Sequence, residues 1–433
     1  MENRIIRTLL DHGHEAYIIG GYVRDLILGS NSNDIDIVTN ATPEEICEIF
    51  PGSGGVGKSF GVVLVEGVEV ATYRIDRYSG DNMSVEYSSS LYEDTCRRDL
   101  TINALAMDLS GNILDFHGGK SDLENKIIRF IGDPKDRINE DPNRIIRACR
   151  FLALVNGSFS PQTYSTLVKH AFLCSIISPE RIHKEIIKVM KIEKASLFFR
   201  ACKDIGILEY IFPSLDKCEG VSQNRFHNEG LFEHNMRVGD RISCKFPMLK
   251  LSGYLHDVGK VGCKVYNEEK SDYTFYEHHK VGADIIREEL IDLKFSNNEI
   301  DFVCSIIYNH MRDEPEGARG YRRALKVFSE AGISYRDYIR IRNADGLGKD
   351  PQYITDIRNL VSGFRDIIDA EEAFSLKDLD IDGNVVMETL QMKPSKEIGM
   401  ILRKLLDMVM EQPELNKREI LMDILKKGEL LWK

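Results

Sequence analysis

The hydrophobic pattern of this chain changes period once, near residue 141, and that change restricts it to a small α/β head followed by a long helical body. Before the change, short β-branched runs alternate with helical ones. Tyr17-Ile18-Ile19 predicts a strand ending at Gly20-Gly21, and Tyr22 to Leu28 predicts a helix. Ile35, Ile37 and Val38 predict a second strand. A helix then begins near Thr42-Pro43, with Thr42 as its N-cap. Residues 61–75 (GVVLVEGVEVATYRI) are β-branched and turn-rich, which predicts a hairpin. From Asp141 onward the pattern is helical almost to the end. Pro213 with the polar stretch 216–230, and the region around 346–352, mark boundaries within it. There is no short-period repeat and no low-complexity tract.

Bulk properties narrow the class. A chain of 433 residues exceeds one hydrophobic core, so about two to four domains are expected. No secretory h-region and no bilayer-length apolar run is present, and nine scattered cysteines contain no CxxC pair. Neither a zinc site nor a disulfide framework is implied; reduced, packed cysteines and a cytoplasmic location are expected. The net charge of −12 disfavours a nonspecific nucleic-acid coat. It leaves room for an RNA enzyme with a local basic face.

Asp34-Ile35-Asp36 falls in the second predicted strand, where alternation would place both carboxylates on one face and Ile35 and Ile37 on the other. Two such carboxylates can bridge a pair of Mg²⁺ ions, activating a 3′-hydroxyl and stabilising departing pyrophosphate. A DxD alone is commonly a surface turn. Upstream, Gly20-Gly21-Tyr22-Val23-Arg24-Asp25 adds a strand-to-helix turn whose backbone N–H groups can approach phosphate, with Arg24 adding charge.

GGYVRD followed by NDIDIVT resembles the signature of bacterial class II tRNA nucleotidyltransferases (CCA-adding enzymes) and their poly(A) polymerase relatives. Arg97-Arg98-Asp99-Leu100-Thr101-Ile102-Asn103-Ala104 is similar to the family's RRDxTxNA segment, which implies that Asp99 and Asn103 approach the ribose. Gly132-Asp133-Pro134 and Glu140-Asp141-Pro142-Asn143-Arg144, continued by Arg147, Arg150 and Phe151, resemble the next motifs. Ser178-Pro179-Glu180-Arg181-Ile182 resembles the neck motif. Leu379, Asp382-Gly383, Pro394, Ile398-Gly399 and Asn416 resemble the RNA-binding tail. The resemblance runs in order along nearly the whole chain. It implies nucleotide-binding roles for Gly20, Gly21, Arg24, Asp99, Asn103, Glu140, Asp141, Arg144 and Arg147, and Mg²⁺ at Asp34 and Asp36.

Asp141 and Arg144, three apart on a predicted helix, would be neighbours on one face. A carboxylate accepts from an exocyclic amine while a guanidinium donates to a ring nitrogen. Cytosine and adenine present that pair; uracil and guanine reverse it. Alone, the two residues would read as a surface ion pair. Between Arg74 and Arg97 the family carries a flexible loop with a basic-proline cluster. Here the stretch IDRYSGDNMSVEYSSSLYEDTC is shorter and lacks the cluster, which leaves the product open between CCA, CC, A and poly(A). Asp76 within it is a candidate third carboxylate.

Gly52 to Ser59 (GSGGVGKS) matches the P-loop expression, but a predicted helix precedes it and a strand follows it, the reverse of what a P-loop requires. A second cluster is more informative. His256-Asp257 lies in an apolar helical stretch (LSGYLHDVGK), with His234 before it and His278, His310 and Asp345 after it. A buried His-Asp pair needs a partner, and such a set suits a transition metal. The set resembles an HD phosphohydrolase domain. That implies His234, His256, Asp257 and Asp345 around one ion such as Mn²⁺ or Ni²⁺, with His278 and His310 completing a second. His227 would approach a substrate phosphate, and His279 is expected at the surface.

The expected molecule is α+β: a polymerase β-type head (1–140), a helical neck (141–215), an HD body (216–350) and a helical RNA-binding tail (351–433), acting on tRNA with ATP and CTP. The rival class is an HD phosphohydrolase whose head serves only to bind RNA.

Overall fold

The computed structural model describes residues 2–30, 35–53, 61–79, 82–349, 356–370 and 373–427. Two compact units divide the chain, Met1–Ile211 and Phe212–Lys433.

The first unit opens with α1 (Glu2–Asp11), β1 (Ala16–Ile19), α2 (Gly21–Ile27), β2 (Asp36–Thr39) and α3 (Pro43–Ile49). Thr42 caps α3 in a capping box with Glu45, as its sequence predicts. β3 (Val62–Val65) and β4 (Val68–Thr72) form the expected hairpin, and β7 (Ala106–Met107) and β8 (Ile113–Leu114) complete a six-stranded sheet in the order β3-β4-β2-β1-β7-β8. β1 and β2 run antiparallel with Ile19 opposite Asp36. That register brings the Gly20 turn and Asp36 to one end of the sheet. Ile5, Ile6 and Leu9 of α1, Val23 of α2 and Ile46 of α3 are fully buried with Ile19 and Ile37.

The stretch expected as a shortened loop is folded. β5 (Arg74–Ser79) and β6 (Asn82–Tyr87) pair antiparallel, and α4 (Leu91–Cys96) follows, capped by Ser90. After α5 (Gly119–Glu124), β9 (Ile127–Ile128) and α6 (Pro134–Glu140) comes α7 (Asn143–Val155), whose buried face includes Ile145, Ile146, Phe151 and Leu152. β10 (Ser158–Phe159) pairs with β9 in parallel. α8 (Pro161–His170), α9 (Pro179–Val189), α10 (Ser196–Asp204) and α11 (Leu208–Ile211) close the unit.

The second unit is helical: α12 (Pro213–Asp216), α13 (Leu231–Arg241), α14 (Pro247–Leu255), α15 (Lys260–Cys263), α16 (His278–Asp292), α17 (Asn297–Asn309), α18 (Gly317–Glu330), α19 (Tyr335–Gly348), α20 (Arg358–Asp369), α21 (Gly383–Leu390), α22 (Lys396–Glu411) and α23 (Arg418–Lys426). One core joins α13, α14 and α17 to α20, and a second unites α21 to α23. An antiparallel hairpin of β11 (Val265–Asn267) and β12 (Asp272–Thr274) interrupts the helical pattern expected here. Among the described residues no helix is long and apolar enough to cross a membrane.

Two local expectations need correction. β2 begins at Asp36, so Ile35 lies before the strand and is only half-buried, while Ile37 is in the core. Asp141 is not helical: it stands with extended backbone (φ −154°, ψ 101°) between α6 and α7. Pro142 follows it, and a residue before proline is pushed out of the helical region by the proline ring.

Candidate functional sites

The sheet end that carries Asp36 borders a cavity of about 880 Å³. Gly20, Gly21, Arg24, Asp36, Asp99, Asn103, Asp141, Arg144 and Arg147 all line it, as do Asp76, Arg150 and Phe151. Asp34 and residues 54–60, which hold most of the P-loop-like segment, lie outside the described residues. The elements flanking that segment are α3 before and β3 after, the wrong order for a P-loop.

Three motifs distant in sequence meet in one buried polar network. Arg24 Nη1 donates to Asn103 Oδ1 (2.7 Å), and Asn103 Nδ2 donates to Asp99 Oδ1 (3.0 Å). Asp99 Oδ1 also accepts from the Leu100 N–H (2.8 Å), while Asp99 Oδ2 accepts from Arg147 Nε (2.7 Å). Burial opposes a charge on Asp99, but Arg147 and these donors outweigh it and hold the carboxyl at about 2. Phe151 lies beneath the guanidinium groups of Arg24, Arg147 and Arg150, at 5.0, 5.5 and 4.1 Å from its ring centre. Arg150 is anchored in turn by Glu185 (2.5 Å). Gly20 has φ +78°, and a Cβ there would approach Arg98 Nη1 to 3.2 Å. Its own N–H donates to Leu105 O (3.0 Å), so that amide is committed to the sheet rather than offered to a phosphate. Arg24, expected as added charge, is mostly buried and also paired with Asp25.

The pair expected from sequence to read a base is assembled differently from that expectation. Asp141 and Arg144 do not pair with each other. Arg144 Nη1 donates to Glu140 Oε2 (2.6 Å) and to Arg137 O (3.1 Å), and its Nη2 to Arg97 O (3.2 Å). Asp141 Oδ2 accepts from Arg181 Nη2 (2.6 Å), and Oδ1 from the Asn143 N–H (3.0 Å). Each group is thus held by separate partners on the cavity wall. Asp76 stands in ion pairs with Arg74 (3.1 Å) and Arg97 (3.6 Å).

The second cluster lies in the second unit. α13 supplies His234. His256 and Asp257 follow α14, His278 opens α16, His310 follows α17, and α19 carries Asp345. All six are buried. Asp257 Oδ2 faces His234 Nε2 (3.4 Å) and His256 Nε2 (3.2 Å), while Asp257 Oδ1 faces His278 Nε2 (3.1 Å) and His310 Nε2 (3.5 Å). Asp345 Oδ1 lies 3.2 Å from His234 Nε2 and 3.7 Å from His256 Nε2. The Nδ1 atoms of His256, His278 and His310 each face a backbone carbonyl three residues back, at 2.9, 2.6 and 2.6 Å. A carbonyl requires the proton on Nδ1, so in the neutral ring Nε2 presents its lone pair to the cluster.

Both ring nitrogens of His234, His256 Nε2 and Asp257 Oδ1 are buried without a partner in hydrogen-bond geometry. Leaving such atoms unpaired is costly, and divalent cations would satisfy them. His234, His256 and Asp345 form one compact ligand set, and His256, Asp257 and His310 another. Burial lowers His310 to about 4 and His227 to about 3, which keeps both rings neutral, the form in which an imidazole can bind a metal ion. Burial also opposes charge on His256, but Asp257 and Asp345 reverse it and raise the ring to about 9. His227 stands 4.5 Å from the His234 ring, and half-buried His279 packs on Tyr308 instead.

Sequence reasoning missed four supporting groups. Lys260 Nζ sits 2.6 Å from Asp257 Oδ2, a helical i+3 spacing that was visible in HDVGK. Glu229 lies 3.9 Å from His234 Nδ1, and Glu185 and Arg181 anchor the head cavity; Glu229 is near His234 in sequence and Arg181 lies in the neck motif, whereas nothing local in sequence marks Glu185.

Residues 16–129 match the family described as poly A polymerase head domain, and 158–219 that described as probable RNA and SrmB-binding site of polymerase A. Residues 232–342 match the HD domain. The CCA-adding enzyme of Geobacillus sp. (strain WCH70) is 39% identical over 220 residues, 49% of this chain and 54% of that protein. The chain thus spans about half the length of such curated relatives. The CCA-adding enzyme of Ligilactobacillus salivarius (strain UCC118) is 29% identical over 98% of this chain and 95% of its own. The crystal structure of the Bacillus stearothermophilus CCA-adding enzyme in complex with CTP superposes with a TM-score of 0.72 at 24% identity, covering 98% and 96% of the two chains. At that identity the superposition establishes the fold.

Proposed function

Because the chain belongs to the family of CCA-adding enzymes and poly(A) polymerases, with an HD domain behind its polymerase head, we propose that it transfers CMP and AMP from CTP and ATP to the 3′ end of tRNA. The observation that carries this reading is the convergence of Asp36 with the Arg24–Asn103–Asp99–Arg147 network on one cavity. The tRNA 3′-oxygen forms a bond to the α-phosphorus, the bond to pyrophosphate breaks, and the hydroxyl proton leaves to solvent. Mg²⁺ held by Asp36 together with Asp34 would neutralise triphosphate charge and acidify the hydroxyl. The cavity lining has ten Arg and Lys side chains against five Asp, so it attracts a triphosphate although the whole chain is acidic. In this reading Asp99 and Asn103, fixed by Arg24 and Arg147, meet the ribose. Asp141 and Arg144 offer an acceptor and a donor to a base.

The domains follow as head 1–140, neck 141–215, HD body 216–350 and RNA-binding tail 351–433, in a cytoplasmic enzyme. The deciding experiment supplies each labelled nucleotide singly to tRNAs ending before CCA, after C and after CC. CMP should enter the first two substrates and AMP the third. Incorporation of AMP alone, or in long runs, would assign an A-only enzyme or a poly(A) polymerase; no incorporation in Mg²⁺ would overturn the reading.

A second reading rests on the unpaired buried ligand atoms of the second unit: metal-dependent hydrolysis of phosphate esters. His256→Ala or Asp257→Ala should remove hydrolysis of phosphomonoesters or cyclic 2′,3′-phosphates and leave nucleotide addition intact. Thermal unfolding must be followed alongside, because truncating one member of a buried cluster leaves its partners unpaired. Equal loss of both activities with stability preserved would refute independent sites.

A further inference from the structure

Tyr92, Phe116 and His117 come together in the first unit, outside the cavity lining already described. The Phe116 ring stands edge-on to Tyr92, with centres 5.6 Å apart and planes at 83°. The His117 ring lies nearly parallel to Tyr92, at 5.8 Å and 26°. Tyr92 is 52% exposed and Phe116 43%, although each is large and apolar. α4 buries Leu91, Asp94 and Thr95, which turns Tyr92 outward. The rings are also held in place. Thr95 Oγ1 donates to Tyr92 O (2.7 Å), which leaves it to accept from His117 Nε2 (2.9 Å). Asp115 accepts from the N–H groups of His117, Gly119 and Lys120 (3.2, 2.9 and 2.9 Å), closing the turn that carries Phe116 and His117.

Both supports of this cluster also build the head cavity. Asp94, on the buried face of α4, holds Arg97 (2.8 Å) and Arg98 (3.3 Å), and both arginines line that cavity. Five residues separate Tyr92 from Arg97, a rise of about 7.5 Å along a helix. Gly119 packs so closely on Thr101 that a Cβ there would meet Thr101 O at 2.2 Å, and Asn103 of the cavity lies two residues on. The exposed area selects the occupant. Tyr92 and Phe116 together offer roughly 200 Å², against about 800 Å² on each side of a stable protein interface. One or two bases would cover it. We propose that Tyr92, Phe116 and His117 form a stacking platform for the unpaired nucleotides at the 3′ end of the acceptor RNA, beside the cavity in which the next nucleotide is added. The proposal rests on the transferase reading of that cavity. Stacking reads no sequence, because every base has a π-face, so the platform takes whichever base ends the acceptor.

The test uses the full chain and 5′-labelled tRNAs ending before CCA, with the last nucleotide either intact or abasic. Binding is read by fluorescence anisotropy, and CMP addition as kcat and KM, for wild type, Tyr92→Ala, Phe116→Ala and Tyr92→Phe. Thermal unfolding checks that each variant folds. Removing the base should weaken binding to wild type by about tenfold or more, and Tyr92→Ala should weaken binding of the intact tRNA by a similar factor. The two losses should not add, because both remove one contact. KM for the intact tRNA should rise in both alanine variants, whichever base ends it, while KM for CTP stays; Tyr92→Phe should keep the wild-type values. Losses that add, or alanine variants that bind both tRNAs as wild type does, would overturn the platform and leave the transferase reading standing. If wild type adds no CMP but still shows the coupling between Tyr92 and the last base, the platform stands and the transferase reading falls. Absence of both addition and coupling would refute the two together.

Discussion

Replacing Asp99 with asparagine keeps the side-chain shape but removes the charge on which the head network is built. In the folded protein burial would raise the Asp99 carboxyl, yet Arg147, Asn103 and the Leu100 N–H hold it at about 2 against an ordinary 3.8. That difference is worth about 2.5 kcal/mol of stability at neutral pH. The introduced amide would also point a donor at Arg147, so a total loss of about 3 kcal/mol is expected at pH 7. The folded value lies below the unfolded one. The stabilisation is therefore complete above about pH 5 and is lost as pH falls toward 2; about half should remain at pH 3. Urea unfolding followed by far-UV circular dichroism, on wild type and Asp99→Asn from pH 7 to pH 3, measures the gap directly. The first unit's transition should move, and the gap between the proteins should narrow below about pH 4. A gap under about 1 kcal/mol at neutral pH, or one that stays constant to pH 3, would refute the view that Asp99 is an ionised keystone. The same variant should lose preference for ribonucleotides over deoxyribonucleotides, because Asn103 and Arg147 lose their shared anchor.

Asp36→Ala should lower nucleotide addition by roughly a thousandfold or more while tRNA binding by filter retention is kept, since it removes the proposed metal ligand and leaves the rest of the cavity intact; near wild-type transfer in Mg²⁺ would remove Asp36 from the reaction. Arg181→Ala frees the carboxylate of Asp141 and should change the ratio of CTP and ATP to UTP and GTP incorporation by roughly tenfold, in the same direction as Asp141→Ala. Slower addition with unchanged selectivity in both variants would make Asp141 and Arg181 a structural pair. Glu229→Gln should weaken metal uptake by the second unit about ten- to hundredfold, measured by competition with a chelating dye, because Glu229 faces His234 Nδ1 where the other three rings face carbonyls. Unaltered affinity would show that His234 needs no carboxylate behind it.

The fold was legible wherever local pattern and tertiary environment agree. β1, α2, the Thr42-capped α3 and the β3–β4 hairpin appear where hydrophobic period, capping and turn residues place them. The misses have local causes. The spacing of Asp141 to Arg144 suggests a shared helix, although the proline after Asp141 already argues against a helical backbone there. The β11–β12 hairpin escapes a pattern search because VYN and DYT are three-residue strands around a charged turn, too short for a period to register. The partners of Arg150 and Asp141 come from other elements, 35 and 40 residues away, and no short window of sequence contains both members.

Charge shows most sharply what a bulk property leaves out. A net charge of −12 disfavours nucleic-acid binding only if charge is spread evenly, and here it is not. The head cavity gathers Arg24, Arg97, Arg144, Arg147, Arg150 and Arg181 among its lining, and several are locked by carboxylates that sit behind them rather than in the cavity. Glu185 holds Arg150 and Glu140 holds Arg144 in this way. These acids count fully in the total and fix the guanidinium groups without occupying the lining. A cation ordered by a buried anion loses less side-chain freedom when a phosphate arrives than one free in solvent. In the proposed reaction the acidic residues of this unit therefore serve nucleotide binding in two distinct ways, as the expected metal ligand at Asp36 and as anchors for the arginines.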